Sequence, residues 1–178
     1  MTVMKKVLVV VDMQNDFVNG ALGSTEAQAI VPAVCEKIRS FDGKIYVTLD
    51  THGENYMQSS EGKKLPVPHC IKGTAGHELN ARVQDALDGK DYKTAEKLTF
   101  GCVRLPEMLK EDGFDAECGS IELIGLCTDI CVVSNALLLK ANFPEAEISV
   151  DSACCAGVTE QLHREALDTM KSCQINII

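Results

Sequence analysis

Short runs of hydrophobic residues recur along the chain, and most have the length of a β-strand. Residues 6–11 (KVLVVV) are almost wholly β-branched, which is typical of a strand covered on both faces of a parallel sheet. Runs of the same character cover residues 44–49, 120–126, 147–150 and 174–178, and a weaker one covers residues 91–95. The pattern therefore predicts six strands.

Segments with helical periodicity lie between these strands. They cover residues 25–41, 77–87, 105–111, 128–141 and 159–171. Strands that alternate with helices form βαβ units, whose right-handed crossovers cover both faces of a parallel sheet. We therefore predict one α/β domain over residues 1–178, with three α/β/α layers and a six-stranded, mainly parallel sheet.

Residues 51–76 do not follow this alternation. The segment is rich in Gly, Ser, Pro and His and shows no periodicity. An irregular segment of this length inside a compact domain is usually functional or disordered.

Composition indicates which binding partners and which cellular compartment to expect for the protein. A net charge of −9 argues against nucleic acid and anionic membranes as partners. The apolar run at Val7–Val11 ends at Asp12, too early for a signal peptide, and no stretch approaches the roughly 20 apolar residues of a membrane span. The 9 cysteines are an odd number and lie mostly in hydrophobic segments, so we expect free thiols in a reducing, cytoplasmic setting.

Polar residues follow most of the predicted strands at their carboxyl ends, where open α/β sheets bind ligands. They are Asp12, Asp50 with His52, Lys97, the segment 127–131, and Asp151. One such residue is usually a turn or cap residue. The joint pattern favours a functional site.

Cys131 is the best candidate for a nucleophile. Thr128 is suited to cap the helix, which places Cys131 in the first turn, where free amides and the helix dipole lower the pKa of a thiol. The same amides can form an oxyanion hole. The alternative is a buried structural thiol, which is the commoner role of a free cysteine. We interpret four other cysteines as core or incidental residues: Cys35, Cys102, Cys118 and Cys173. Cys154 and Cys155 are adjacent in sequence, and we expect them to make a poor metal pair.

A thiol nucleophile needs a base and a positive charge nearby. Asp12 could be the base and Lys97 the cation, although Lys97 could equally be solvated and Lys93 is a rival. His163 lies in the middle of a predicted helix, and we expect it to face solvent rather than Cys131.

The irregular segment contains a candidate metal site. Asp50 and His52 at a strand end, with His69 further along, offer one carboxylate and two imidazoles. Three protein ligands suit a catalytic Zn²⁺, Fe²⁺ or Mn²⁺. The alternative is a polar loop with incidental histidines.

Five segments carry a family resemblance. They are residues 10–17 (VVDMQNDF), 50–52 (DTH), 68–70 (PHC) with Gly73 and Thr74, 96–101 (EKLTFG), and 125–132 (GLCTDICV). In this order, and over nearly the whole chain, they resemble the isochorismatase-like cysteine hydrolases and, within them, the nicotinamidases. The resemblance implies an isochorismatase-like, Rossmann-like fold.

The resemblance also implies roles for residues. Asp12, Lys97 and Cys131 would form a catalytic triad, the backbone N–H groups of Cys127 and Cys131 would bind the oxyanion, and Phe17 would line the substrate pocket. A divalent transition metal (Zn, or Fe or Mn) would bind Asp50, His52 and His69, with Glu61 a further candidate ligand. A cis peptide bond would precede Cys127. Nicotinamidases usually carry a tryptophan just before the Pro-His of the loop, where this chain has LPVP at 65–68, so we expect Pro66 and Val67 to form a smaller apolar wall.

These observations predict an amidohydrolase that converts nicotinamide to nicotinate and ammonia through a cysteine thioester. One alternative is a related hydrolase of another small amide, carbamoyl compound or ureide. The other is a non-catalytic thiol redox sensor or metal-binding protein. The family resemblance implies a homodimer or larger homo-oligomer.

Overall fold

The computed structural model describes residues 5–178, and its strands form one parallel sheet. The strands are β1 (Lys6–Val11), β2 (Lys44–Asp50), β3 (Tyr92–Lys97), β4 (Ser120–Leu126), β5 (Glu147–Ala156) and β6 (Asn176–Ile177). Their order is β3-β2-β1-β4-β5-β6, and each neighbouring pair within the described residues is parallel. The predicted six-stranded α/β fold is confirmed.

Helices cover both faces of the sheet. They are α1 (Asn15–Val18), α2 (Thr25–Ser40), α3 (Ser60–Lys64), α4 (Ala81–Leu87), α5 (Arg104–Glu111), α6 (Val133–Asn142) and α7 (Glu160–Ser172). Within residues 5–178, none of them combines the length and the apolar character needed to cross a lipid bilayer.

Alternation along β1 explains the three layers. Leu8 and Val10 belong to a core shared with α2 and α4, whereas Val7, Val9 and Val11 belong to a second core shared with α5, α6 and α7. Successive side chains of a strand point to opposite faces, so a run of apolar residues is buried on both sides.

Several element boundaries differ from the sequence prediction. Helix α4 begins at Ala81 rather than at residue 77, because the side chain of Asn80 caps it by accepting from the Arg82 N–H. Strand β5 runs on to Ala156, since its pairing with β4 shifts register between Leu123 and Gly125. The irregular segment contains a 3₁₀ turn (Tyr56–Gln58) and α3, and the predicted helix 128–141 begins as a π-helical turn, Thr128–Val132.

The strand order reverses between β1 and β4, and these two strands approach closely at their carboxyl ends. Gly125 has a φ of +118°, and a Cβ atom there would lie 2.2 Å from the Val11 carbonyl oxygen. Only glycine fits this contact. The reversal opens a crevice in which open α/β sheets bind their ligands, between the residues that follow β1 and β4.

Candidate active site

The ammonium group of Lys97 lies at the centre of a buried polar cluster beyond β1, β2 and β3. Its Nζ atom is 2.7 Å from Asp12 Oδ2, 3.3 Å from Asp50 Oδ1 and 3.5 Å from Cys131 Sγ. It also donates to the carbonyl oxygen of Thr99 at 3.0 Å. The structure thus brings together Asp12, Lys97 and Cys131.

Asp12 is fully buried at the end of β1, in the left-handed region of backbone space with a φ of 49°. Few residues other than glycine, asparagine and aspartate adopt this conformation readily, and such positions cluster at functional sites. Its Oδ1 atom accepts a hydrogen bond from the Thr48 hydroxyl at 2.6 Å. Burial raises the pKa of Asp12 above its ordinary value although Lys97 opposes the shift, so this carboxylate is a stronger base than an exposed one.

Cys131 belongs to the π-helical turn, and its environment corrects the prediction from sequence. The residue that precedes the turn is Cys127, whose carbonyl accepts from the N–H groups of Ile130 (3.1 Å) and Val132 (3.0 Å). Thr128 does not cap the turn with its side chain. Burial, and then the neighbouring Asp12, raise the pKa of Cys131 well above its ordinary value, so the resting group is a thiol rather than the expected thiolate. The cis peptide bond implied before Cys127 is present.

Charges in the cluster compensate one another. Burial alone would lower the pKa of Lys97, but the charges of Asp12 and Asp50 raise it above its ordinary value. Burial likewise acts to raise the pKa of Asp50, and is outweighed by its hydrogen bond with His69 and by the charge of Lys97, so that the pKa is lowered. Lys97 is therefore a permanent cation beside an ionised Asp50.

A second cluster shares Asp50 and contains four side chains that suit a metal ion. One donor atom each of Asp50, His52, Glu61 and His69 lies within 4.8 Å of the others. The Nε2 atoms of His52 and His69 are 2.9 Å and 3.5 Å from Asp50 Oδ2, and Glu61 Oε1 is 3.8 Å and 3.6 Å from the same two nitrogens. Two imidazoles with two carboxylates form a donor set that Zn²⁺, Fe²⁺ and Mn²⁺ accept.

Backbone contacts fix the direction of these ligands. The His52 N–H donates to the Cys70 carbonyl at 3.0 Å, which returns the irregular segment to the end of β2 and places His69 beside His52. The Nδ1 atom of His69 is 2.8 Å from the carbonyl oxygen of Val67. A carbonyl can only accept, so Nδ1 carries a proton and Nε2 is the ring nitrogen that faces the cluster, where a metal ion could bind it in place of a proton.

An apolar cavity of about 50 Å³ lies over both clusters, next to a groove of about 470 Å³. Phe17, Leu65, Cys127 and Ile130 line both spaces. Phe17 also packs on His69, with ring centroids 5.4 Å apart. The wall expected from Pro66 and Val67 is formed instead by Leu65, which is 38% exposed.

Two buried side chains that hold the site together were not predicted from the sequence. Gln14 donates from Nε2 to the carbonyl oxygens of Asp50 and His77, both at 2.8 Å, and accepts from the Asp50 N–H at 2.8 Å. Asn135 donates to the carbonyls of Cys131 (2.8 Å) and Phe100 (3.1 Å) and accepts from the Cys102 N–H at 2.8 Å. Only their positions in the sequence could have indicated these two residues. Gln14 lies two residues after Asp12, and Asn135 lies one helical turn after Cys131.

The other residues that the sequence offered as candidates for the site lie away from the cluster. Lys93 pairs with Asp112 at 2.5 Å, and Asp151, which is inside β5 rather than beyond it, pairs with Lys37 at 2.8 Å. Cys154 and Cys155 belong to the two opposite cores. His163 does not simply face solvent, because its Nδ1 atom lies 2.7 Å from the Thr128 hydroxyl.

Comparison with known proteins places the chain in a family. Residues 6–178 match the family model of the isochorismatase domain. An uncharacterized isochorismatase family protein of Bacillus subtilis is 31% identical over 148 residues, which cover 75% of this chain and 78% of that protein. The nicotinamidase/pyrazinamidase of Mycobacterium tuberculosis is 25% identical over 97% of this chain and 98% of its own length.

Solved structures agree with this assignment. The nicotinamidase/pyrazinamidase of Bacillus subtilis superposes with a TM-score of 0.84 at 26% identity, covering 98% of this chain and 99% of that one. The pyrazinamidase of Pyrococcus horikoshii, solved in complex with zinc, superposes with a TM-score of 0.82 at 27% identity, covering 98% of each chain.

Proposed function

Since the chain belongs to the isochorismatase family and is a hydrolase of non-peptide carbon–nitrogen bonds, we propose that it converts nicotinamide to nicotinate and ammonia through a cysteine thioester. The observation that carries the proposal is the contact of Lys97 Nζ with both Asp12 (2.7 Å) and Cys131 (3.5 Å). A base, a cation and a thiol in mutual reach are what acyl transfer to sulfur requires.

In the first half of the reaction, Asp12 accepts the proton of the Cys131 thiol as sulfur attacks the carboxamide carbon. Its raised pKa suits a base that must also return the proton. The backbone N–H groups of Cys127 and Cys131 stabilise the oxyanion. Asp12 then protonates the leaving nitrogen, so that ammonia departs and a thioester remains. Lys97 keeps its charge throughout and balances the carboxylate and the thiolate.

In the second half, water attacks the thioester carbon while Asp12 accepts its proton. The carbon–sulfur bond breaks, sulfur takes the proton back from Asp12, and the product leaves as the carboxylic acid, which gives its own proton to ammonia or water in solution. Each residue returns to its starting state, so the chain's own groups balance every proton.

Asp50, His52, Glu61 and His69 would hold a divalent transition metal beside this centre, because their donor atoms converge within 4.8 Å. When bound there, such a metal offers open coordination positions that can orient a substrate. Asp50 contacts both Lys97 and His52, so it connects the metal site with the proposed triad.

The cavity supports a small, flat, uncharged substrate. Its walls are largely apolar, and Phe17 presents an aromatic ring beside His69. Aromatic rings favour offset or edge contacts with other rings. Relatives of similar length are a nicotinamidase/pyrazinamidase of Mycobacterium tuberculosis and a zinc-bound pyrazinamidase of Pyrococcus horikoshii, which supports the pyridine and pyrazine carboxamides over other amides.

A coupled ammonia assay over a panel of amides tests the proposal. We expect turnover of nicotinamide and pyrazinamide and poor turnover of benzamide, which has no ring nitrogen to orient. Leu65 replaces a larger aromatic wall, and the loss of such a wall weakens binding by about 1–3 kcal/mol. The expected signature is a raised KM with an ordinary kcat.

Other outcomes identify the rival functions. Benzamide turned over as fast as nicotinamide would mean that the metal site does not orient the ring. Rapid hydrolysis of a linear carbamoyl compound, with nicotinamide inert, would assign a different small amide. A protein that releases no ammonia from any amide but oxidises reversibly at Cys131 would be a thiol sensor.

A further inference from the structure

The π-helical turn that carries Cys131 contacts the first turn of α7 through a partly buried hydrogen bond. Thr128, the first residue of the turn, is fully buried. Its hydroxyl lies 2.7 Å from Nδ1 of His163. Neither side chain has a part in the chemistry described above, and a buried hydroxyl such as that of Thr128 needs a hydrogen-bond partner.

The direction of this hydrogen bond follows from the partners available. Among residues 5–178, His163 is the single hydrogen-bond partner found for the Thr128 hydroxyl. A buried hydroxyl proton without an acceptor is costly, so the hydroxyl donates and Nδ1 accepts. His163 is therefore neutral, with its proton on Nε2.

Two further contacts fix how the turn and α7 fit together. Oδ1 of Asp129 accepts from the Val158 N–H at 3.0 Å. Gly157 leaves no room for a side chain, because a Cβ atom there would lie 2.8 Å from the backbone nitrogen of His163 and 2.9 Å from Asp129 Oδ1. The start of α7 is itself fixed by Thr159, whose hydroxyl accepts from the Leu162 N–H at 3.1 Å.

We infer that His163 is a positioning residue for the nucleophile, and that it acts through the Thr128 hydroxyl to hold the turn in the geometry that aims Cys131 and the neighbouring amides. The inference rests on the proposed role of Cys131. Thr128 lies next to Cys127 and three residues before Cys131, so a displacement of its side chain moves both proposed oxyanion donors. A misplacement of about 1 Å at a reacting group can cost roughly a hundredfold in rate.

Three variants separate positioning from packing. His163→Asn keeps an acceptor near the place of Nδ1, whereas His163→Leu and Thr128→Val remove the hydrogen bond and keep apolar volume. We expect Leu and Val to lower kcat on nicotinamide roughly tenfold with KM changed less than about twofold, and Asn to stay within about threefold of the wild type. The double variant His163→Leu, Thr128→Val should lose no more than either single variant.

The rate at which iodoacetamide alkylates Cys131, followed by mass spectrometry, gives a second measurement that needs no turnover. We expect the alkylation rates to follow the same order as kcat. The wild type and His163→Asn should react fast, and His163→Leu and Thr128→Val should react slowly. A wild type that turns over no amide but shows this order would reject the proposed reaction and keep the positioning role.

The pH dependence provides the test that survives if the Leu variant does not fold. A protonated ring cannot accept, so the hydrogen bond is lost as pH falls through the pKa of His163. Burial lowers that pKa below its ordinary 6.5, with Asp129 of the turn and Glu160 of α7 acting to raise it and Arg164 of α7 acting to lower it. The acid limb set by Asp12 and the thiol is common to both proteins, so the ratio of the wild type to His163→Asn, in kcat and in the alkylation rate, should fall as pH decreases. Coincident pH profiles for the two proteins, or a Leu variant with wild-type kcat and alkylation rate, would overturn the inference.

Discussion

At the scale of single residues, the charge of Lys97 faces two buried carboxylates and a sulfur atom, so its removal leaves anions without a partner. We expect Lys97→Met to lower the free energy of unfolding by about 3 kcal/mol and to abolish turnover, because an uncompensated buried charge is costly. Urea denaturation followed by circular dichroism measures the loss.

The double variant Asp12→Asn, Lys97→Met is the matched control, since it removes the anion that Lys97 contacts at 2.7 Å. It should regain part of the stability and remain inactive. Equal stability of Lys97→Met and the wild type would contradict a charge-compensating role.

The thiols differ sharply in their surroundings, which gives a second prediction. Cys131→Ala should lower turnover by at least about a thousandfold with an unchanged circular dichroism spectrum. Cys35→Ala and Cys173→Ala should keep most of the activity, because Cys35 bonds to the Arg82 carbonyl away from the site and Cys173 is exposed. Activity in Cys131→Ala, or selective alkylation at Cys154 or Cys155, would move the nucleophile elsewhere.

Burial of the proposed base and nucleophile predicts the pH profile of kcat/KM. The reactive free enzyme holds one proton shared between Asp12 and Cys131, and the pair titrates in two macroscopic steps. A second proton adds to Asp12 in an acid limb above the ordinary carboxyl value of 3.8, since burial raises that pKa. The last proton leaves Cys131 in an alkaline limb above the ordinary thiol value of 9.0. Initial rates from pH 4 to 10.5 measure both limbs, and an alkaline limb below about pH 8 would indicate a resting thiolate instead.

Residues of the site were predictable where a strand ends or a helix begins, whereas buried residues whose partners are distant in sequence were not. Asp12, Asp50 and Lys97 each follow or end a buried run, and parallel strands bring their carboxyl ends to one edge. Gln14 was missed because its partners, Asp50 and His77, are 36 and 63 residues away. The thiol pKa of Cys131 was predicted in the wrong direction, because the sequence displays the helix start but not the burial that outweighs it.

At the scale of elements, long periodic segments were predictable, whereas short turns depended on single polar contacts. The sequence indicated the helices α2, α5 and α7 and each strand to within a few residues, apart from the last six residues of β5. It did not indicate α3, which spans five residues and begins where the Ser59 hydroxyl accepts from the Gly62 N–H. Glu61 reaches the metal cluster from this short helix.

Asn135 joins α6 to the segment after β3, and its removal gives a prediction at this scale. Asn135→Leu leaves the Cys102 N–H and the Phe100 and Cys131 carbonyls without this partner. We expect it to lower the free energy of unfolding by about 2 kcal/mol and to lower kcat, because buried unpaired groups are costly and the backbone of Cys131 loses a contact.

Asn142→Leu is the control, since Asn142 lies on the same helix, is half-exposed and bonds to the Leu138 carbonyl. It should change the free energy of unfolding by less than about 0.5 kcal/mol and leave kcat unaltered. Similar losses in the two variants would reduce the role of Asn135 to ordinary helix stability.

At the scale of the whole molecule, the strand order explains why distant residues meet. β1 and β4 are 109 residues apart from the end of one to the start of the other, yet they pair in the middle of the sheet, where the order reverses. Asp12 follows one strand and the Cys131 turn follows the other, so both face the crevice at that reversal. Periodicity predicts which segments are strands, but strand order depends on contacts between segments far apart in sequence.

The four clustered donors join the 51–76 segment to the sheet, so a metal ion bound by them should stabilise the whole fold. Asp50 ends β2, and His52, Glu61 and His69 come from the segment that follows. A ligand that binds only the folded state at a hundred times its Kd stabilises it by about 2.7 kcal/mol. For a chain of this size, each kcal/mol raises the Tm by about 2–4 °C. We therefore expect Zn²⁺ or Mn²⁺ to raise the Tm of chelator-treated protein by roughly 5–10 °C.

Differential scanning fluorimetry before and after dialysis against EDTA measures this shift, and elemental analysis of protein never exposed to a metal column counts the bound ion. His69→Ala should abolish both the shift and the bound metal. His77→Ala should keep both, because His77 bonds to the Thr51 hydroxyl at 2.8 Å and is not one of the four clustered donors. Glu61→Gln tests whether Glu61 is a fourth ligand. Loss of a ligand would reduce the rise in Tm on metal binding, whereas loss of a residue that only lies near the metal would leave it unchanged. An equal rise in Tm for His69→Ala and the wild type would place the metal somewhere other than these side chains.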